Sequence, residues 1–157
     1  MATKTSAKVP QMTLEQEVQS LQAYAAEYSN QFTMLSEQLK FIEAAKTEAH
    51  VSIDTLETLK TTEAGTTVLL PLGGGVAVRA IVNDATTLLV TIGAGVTVEK
   101  SADESISYLQ DRITEMEASE KRLTESIAKL QEQMQAVDAR MQQIYAAVQS
   151  QNQQQAS

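Results

Sequence analysis

The sequence predicts a mainly α chain with a small β portion. A long antiparallel coiled-coil helical hairpin carries, at its fold-back point, two β-hairpins that form an oligomeric β-barrel. Three observations predict it. Two runs of thirteen positions each place apolar residues at alternating steps of four and three. The runs mirror each other about a point near residue 81. Five of the six glycines fall at 73–75, 93 and 95, between the runs.

The first run is Leu14, Val18, Leu21, Ala25, Tyr28, Phe32, Leu35, Leu39, Ile42, Lys46, Ala49, Ile53 and Leu56, apolar at twelve positions. A helix packed on a globule keeps a 3.6-residue period, whereas a sustained 3.5-residue period is a coiled-coil seam. Thr13 to Gln16 has the S/T-x-x-E/Q form of a capping box, which satisfies backbone N–H groups left open at a helix start. Gly65 suits the region where the helix ends. Coiled-coil helix 1 is expected over 13–62, after a tail at 1–12 that lacks apolar periodicity and should be disordered.

The second run is Ile106, Leu109, Ile113, Met116, Glu120, Leu123, Ile127, Leu130, Met134, Val137, Met141, Ile144 and Val148, again with twelve apolar positions. Ser101 to Glu104 is its capping box. Coiled-coil helix 2 is expected over 102–149, followed by a disordered, Gln-rich tail at 150–157. Each helix would be ~45 residues, or about 65–70 Å at about 1.5 Å per residue. Residues facing each other in an antiparallel pair have a constant number sum. Leu14 with Val148 and Leu56 with Ile106 both give 162, as do Leu21 with Met141 and Leu39 with Leu123. The two seams therefore begin and end together, so the helices pair with each other.

Each seam contains one charge. The shared register sets Lys46 and Glu120 in adjacent layers, where the lysine stem stays packed while its ammonium reaches the carboxylate. Two readings stay open: a polar pair that specifies alignment at some cost in stability, or two independent charges reaching outward.

Residues 66–99 carry the hairpins. TTVLLPL and VAVRAIV flank Gly73, Gly74 and Gly75; TTLLVTI and VTVEK flank Gly93 and Gly95. The flanks are β-branched and apolar, and three-residue glycine-containing loops between such runs signal β-hairpins. Pro71, which has no N–H to donate, belongs at an edge or bulge. Asn83-Asp84 connects the hairpins. A phosphate loop is the rival reading, but G-x-G-x-x-G must lead into a helix and a P-loop needs Gly-Lys-Ser/Thr. Here both glycine sets lead into Val-x-Val. Isolated hairpins are marginal in water and their edges invite other strands. Val68, Leu70, Leu72, Val76, Val78, Ile81, Val82, Leu88, Val90, Ile92, Val96 and Val98 supply the apolar surface for oligomerisation.

Composition removes several function classes. A net charge of −8 without a basic run argues against nucleic acid. With no cysteine and a single histidine, disulfides and Cys/His zinc sites are excluded or nearly so. No signal peptide or membrane-spanning run is visible, so a soluble cytoplasmic protein is expected. No cofactor is implied. His50 has no nucleophile or metal-ligand cluster beside it, and Glu115, Glu117 and Glu120 read as solvated coiled-coil charge, so no enzyme is expected.

Helix, two hairpins, helix is the layout of the prefoldin α class, and LLPLGGGVAV and LLVTIGAGVTVEK resemble its paired turn motifs. The resemblance runs from about 14 to 148, and two hairpins rather than one separate it from the β class. It implies an ATP-independent molecular chaperone, archaeal or eukaryotic. Two α-class chains would pair through their hairpins, with four β-class chains docked on them. The six coiled coils of the hexamer would receive unfolded proteins and pass them to a group II chaperonin. Client-binding tips would then carry Leu14, Val18, Leu21 and Tyr24 on one helix and Met141, Ile144, Tyr145 and Val148 on the other. Methionine suits varied surfaces. Taken one by one, these residues also fit ordinary seam packing. A coiled-coil scaffold or filament-forming prefoldin relative, assembled through the same hairpins, is the rival.

Overall fold

The computed structural model describes residues 13–155. The expected tail at 1–12 and the last two residues lie outside the described residues. The element order is α1 (Leu14–Lys60), β1 (Thr66–Gly73), β2 (Val76–Val82), β3 (Thr87–Gly93), β4 (Val96–Ser101) and α2 (Ala102–Gln155). Two long antiparallel helices thus enclose two hairpins in sequence. The chain divides into two compact units: Leu39–Arg122, with the hairpins, and the remaining halves of the helices.

Both helix starts are capped reciprocally. Thr13 N–H donates to Gln16 Oε1 at 3.1 Å, and Gln16 N–H donates to Thr13 Oγ1 at 3.3 Å. At α2, Ser101 N–H donates to Glu104 Oε2 at 2.9 Å and Glu104 N–H donates to Ser101 Oγ at 3.2 Å. Ser101 Oγ also donates to Glu104 Oε2 at 3.0 Å, and the two donations from Ser101, the backbone one foremost, hold the Glu104 carboxyl below the usual carboxylate range. α2 runs on to Gln155, past the expected end at 149. Glutamine is a good helix former, and residues 150–155 contain no glycine or proline to stop the helix.

The seams are covered as their spacing requires. Positions from Val18 to Leu56 on α1, and from Ile106 to Ile144 on α2, are all partly covered or buried, while the outermost residues, Leu14 and Val148, are exposed. In the hairpin-bearing unit the helices are tied by Lys46 to Glu120 and by Lys60 Nζ to Asp103 Oδ1 at 2.6 Å. In the other unit Arg140 Nε donates to Glu17 Oε1 at 2.7 Å. The number sums of these pairs, 166, 163 and 157, straddle the 162 read from the seams.

Each hairpin is a separate two-stranded antiparallel sheet. The ladders are copies displaced by twenty residues: Leu69↔Arg79, Leu70↔Val78 and Gly73↔Val76 recur as Leu89↔Glu99, Val90↔Val98 and Gly93↔Val96. Seven of the fifteen residues in 66–80 are identical twenty positions later. The turns differ from the expected three-residue loops. Gly73 and Gly93 still pair across the ladder, leaving two-residue loops at 74–75 and 94–95, and a register shift between Pro71 and Gly73, or Thr91 and Gly93, absorbs the extra residue. Both loop residues have positive φ: 60° and 80° at Gly74 and Gly75, 47° and 76° at Ala94 and Gly95. That is the type I′ conformation that matches strand twist. Between the hairpins, Asp84 Oδ1 accepts from Thr86 Oγ1 at 2.6 Å and Thr86 N–H at 2.7 Å. These bonds, the hydroxyl one foremost, lower the Asp84 pKa.

Candidate functional surfaces

The period-2 side-chain rule gives each hairpin two faces. One is partly covered: Val68, Ala80 and Val82 in the first hairpin, and Leu88, Val90, Val98 and Lys100 in the second. Leu88 and Val90 line a groove of about 720 Å³ together with Val51 and Leu56 of α1 and Tyr108 and Leu109 of α2. Tyr108 also accepts a hydrogen bond from Arg112 at 3.3 Å. The opposite faces look to solvent and hold Leu69, 69% exposed, and Leu89, 74% exposed.

The expected assembly residues therefore divide. Leu70, Leu72, Val76, Val78, Ile81, Ile92 and Val96 are exposed, whereas Val68, Leu88, Val90 and Val98 are already partly covered within the chain. Leu69 and Leu89 were not among them. Within a continuous apolar run such as VLLPL, periodicity does not say which phase faces the chain's own helices. The missing signal was the duplication, which sets a leucine at the same place in both hairpins.

The expected tip residues also separate by exposure. Leu14, Tyr24, Tyr145 and Val148 are exposed, and Val18, Leu21 and Met141 are partly covered. Ile144, at 4%, is the most deeply buried apolar residue among those described. The seam is therefore closed there, because a β-branched side chain fills the layer. Tyr24 stacks on Tyr28, with ring centroids 6.2 Å apart and planes 18° from parallel. An aromatic surface is thus held in one orientation beside the seam.

The charged seam pair is in contact, with Lys46 Nζ donating to Glu120 Oε2 and both side chains partly covered. That hydrogen bond raises the Lys46 pKa, against the opposing effect of desolvation. His50 is exposed, and among the described residues no His, Cys, Asp and Glu form a group able to hold a metal ion. No helix among them is long and apolar enough to cross a membrane.

Known proteins share this arrangement. The family described as Prefoldin subunit matches residues 28–147. Prefoldin subunit alpha of Methanocorpusculum labreanum is 56% identical over 139 residues, covering 88% of this chain and 95% of that protein. The alpha subunit of Methanoregula boonei is 42% identical, with 83% and 85% covered, and that of Pyrococcus horikoshii is 30% identical, with 83% and 84% covered. Among solved structures, filamentous PFD from Methanocaldococcus jannaschii superposes with a TM-score of 0.66 at 26% identity, over 74% of this chain and 97% of that one. The prefoldin beta subunit from Thermococcus strain KS-1 shares the fold, with a TM-score of 0.55 at 18% identity over 87% of this chain and 96% of that one. Capped antiparallel helices, a duplicated hairpin between them and these alpha-subunit relatives along most of its length make the chain a member of the prefoldin family of non-enzymatic chaperones, on its alpha-subunit side.

Proposed function

We propose that the chain is the α-class subunit of a cytoplasmic hetero-hexameric chaperone. Two copies pair through their hairpins, four β-class subunits complete a barrel platform, and the ends of the coiled coils hold unfolded protein. Clients then pass to a group II chaperonin without ATP. One observation carries the reading: most of the exposed large apolar side chains belong to the hairpins or lie toward the helix ends (Leu14, Tyr24, Tyr145 and Val148), while Met34, Phe41 and Val51 are exposed along α1 between them. Exposed apolar surface of this kind marks sites that other molecules cover. The hairpins also have edges without a partner strand among the described residues. Within the coiled coil, the Lys46–Glu120 pair acts as a register lock that fixes which layers meet.

Co-purification with a β-class partner tests the proposal. The expected result is a mass equal to two copies of this chain and four of the partner, and a complex that keeps an unfolded client from aggregating. A second reading is favoured by the likeness to a filamentous PFD: hairpin contacts that fail to close would give an open polymer. Masses that grow with concentration, and no protection of the client, would select that scaffold reading.

A further inference from the structure

The duplication of the hairpins is not uniform. Within 66–80 and its copy, every difference in charge falls at two places: Arg79 against Glu99, and Ala80 against Lys100. Lys100 lies on the partly covered face and acts electrostatically on Glu104. Arg79 and Glu99 are exposed, each paired across its ladder with the outward leucine, Leu69 or Leu89. Neither has an ion-pair partner among the described residues. Two surfaces of the same backbone register thus carry one central charge each, of opposite sign.

The strand edges are unequal as well. The register shifts lie on β1, between Pro71 and Gly73, and on β3, between Thr91 and Gly93. Pro71 also has no N–H to offer, and bulges and proline blunt an edge against pairing. The free edges of β2 and β4 run without such breaks, and they are the strands that carry Arg79 and Glu99.

We propose that these two residues specify how two copies of this chain meet: β2 of one copy lies against β4 of the other, with Arg79 beside Glu99. This inference rests on the reading that the chain self-assembles through its hairpins. Two hairpins of the same ladder register would otherwise pair like with like equally well. Pairing β2 with β2 brings two arginines together, and β4 with β4 brings two glutamates together; like charges so placed disfavour the wrong partner. Unlike pairing forms the contact twice in a two-fold dimer, which closes the assembly at two copies.

The purified chain, alone, is compared with Arg79→Glu, Glu99→Arg and the double exchange by sedimentation, with circular dichroism reporting the helices. The wild type is expected to dimerise. Either single exchange weakens dimerisation by roughly tenfold or more, and the double exchange returns it to within about threefold of wild type. Unchanged single variants, or a double exchange no better than the singles, overturn the inference while leaving hairpin assembly standing. A monomeric wild type overturns both.

Discussion

A chain carrying Leu69→Asp and Leu89→Asp together is expected to keep its helices and lose its self-association. Both leucines face solvent in the isolated chain, at 69% and 74% exposure, so their removal deprives the folded chain of little. Burying a leucine side chain contributes about 1.5–3 kcal/mol. If a partner covers both, the substitutions remove roughly 3–6 kcal/mol and also bury two carboxylates. Association should weaken by at least about a hundredfold. Circular dichroism should be unchanged while sedimentation reports monomers. Wild-type mass in this variant would show that the assembly surface lies elsewhere.

The largest effect expected within the coiled coil comes from Lys46→Leu combined with Glu120→Leu. Exchanging a partly covered ion pair for packed hydrocarbon often stabilises, so the melting temperature should rise by roughly 5 °C. Alignment should become less specific, because a uniform apolar seam no longer distinguishes one heptad from the next. The native chain has no cysteine, so introduced pairs report register without background. Ile53→Cys with Leu109→Cys closes in the native register, and Ile53→Cys with Met116→Cys closes after a one-heptad slip. In the native background only the first pair should oxidise; in the double-leucine background both should. If the slipped pair stays reduced there, Lys46 and Glu120 do not lock the register. The assay belongs at neutral pH. The folded Lys46 pKa lies above its ordinary value, so the pair's contribution is fully present below the ordinary lysine pKa and is lost as pH rises through the folded one.

Much of this fold was legible because its signals are periodic. A 3.5-residue repeat, two capping boxes and two glycine sets each name one element, and the equal number sums tie the helices before any contact is known. What escaped was local. The loops are one residue shorter than the glycines suggested, because the shifts after Pro71 and Thr91 move a residue into the ladder. Ile144 reads like its neighbours in sequence, and only packing shows it closed inside the seam. Leu69 and Leu89 sit in apolar runs where either strand face fits the composition, so their exposure depends on which face meets the chain's own helices. The continuation of α2 to Gln155 has no apolar stripe to mark it in this polar, Gln-rich segment, although the intrinsic helix propensity of glutamine is good.

If assembly resides in the hairpins and client binding in the helix ends, shortening the helices should abolish client protection without changing the assembly. Hexamers are prepared with the intact chain and with a chain lacking residues 1–21 and 141–157, and each is assayed for protection of an unfolded protein against aggregation. The deletion removes Leu14, Tyr145 and Val148 and leaves every hairpin residue in place. The expected result is the same subunit stoichiometry in both and protection only by the intact form. Equal protection by the two hexamers would contradict it.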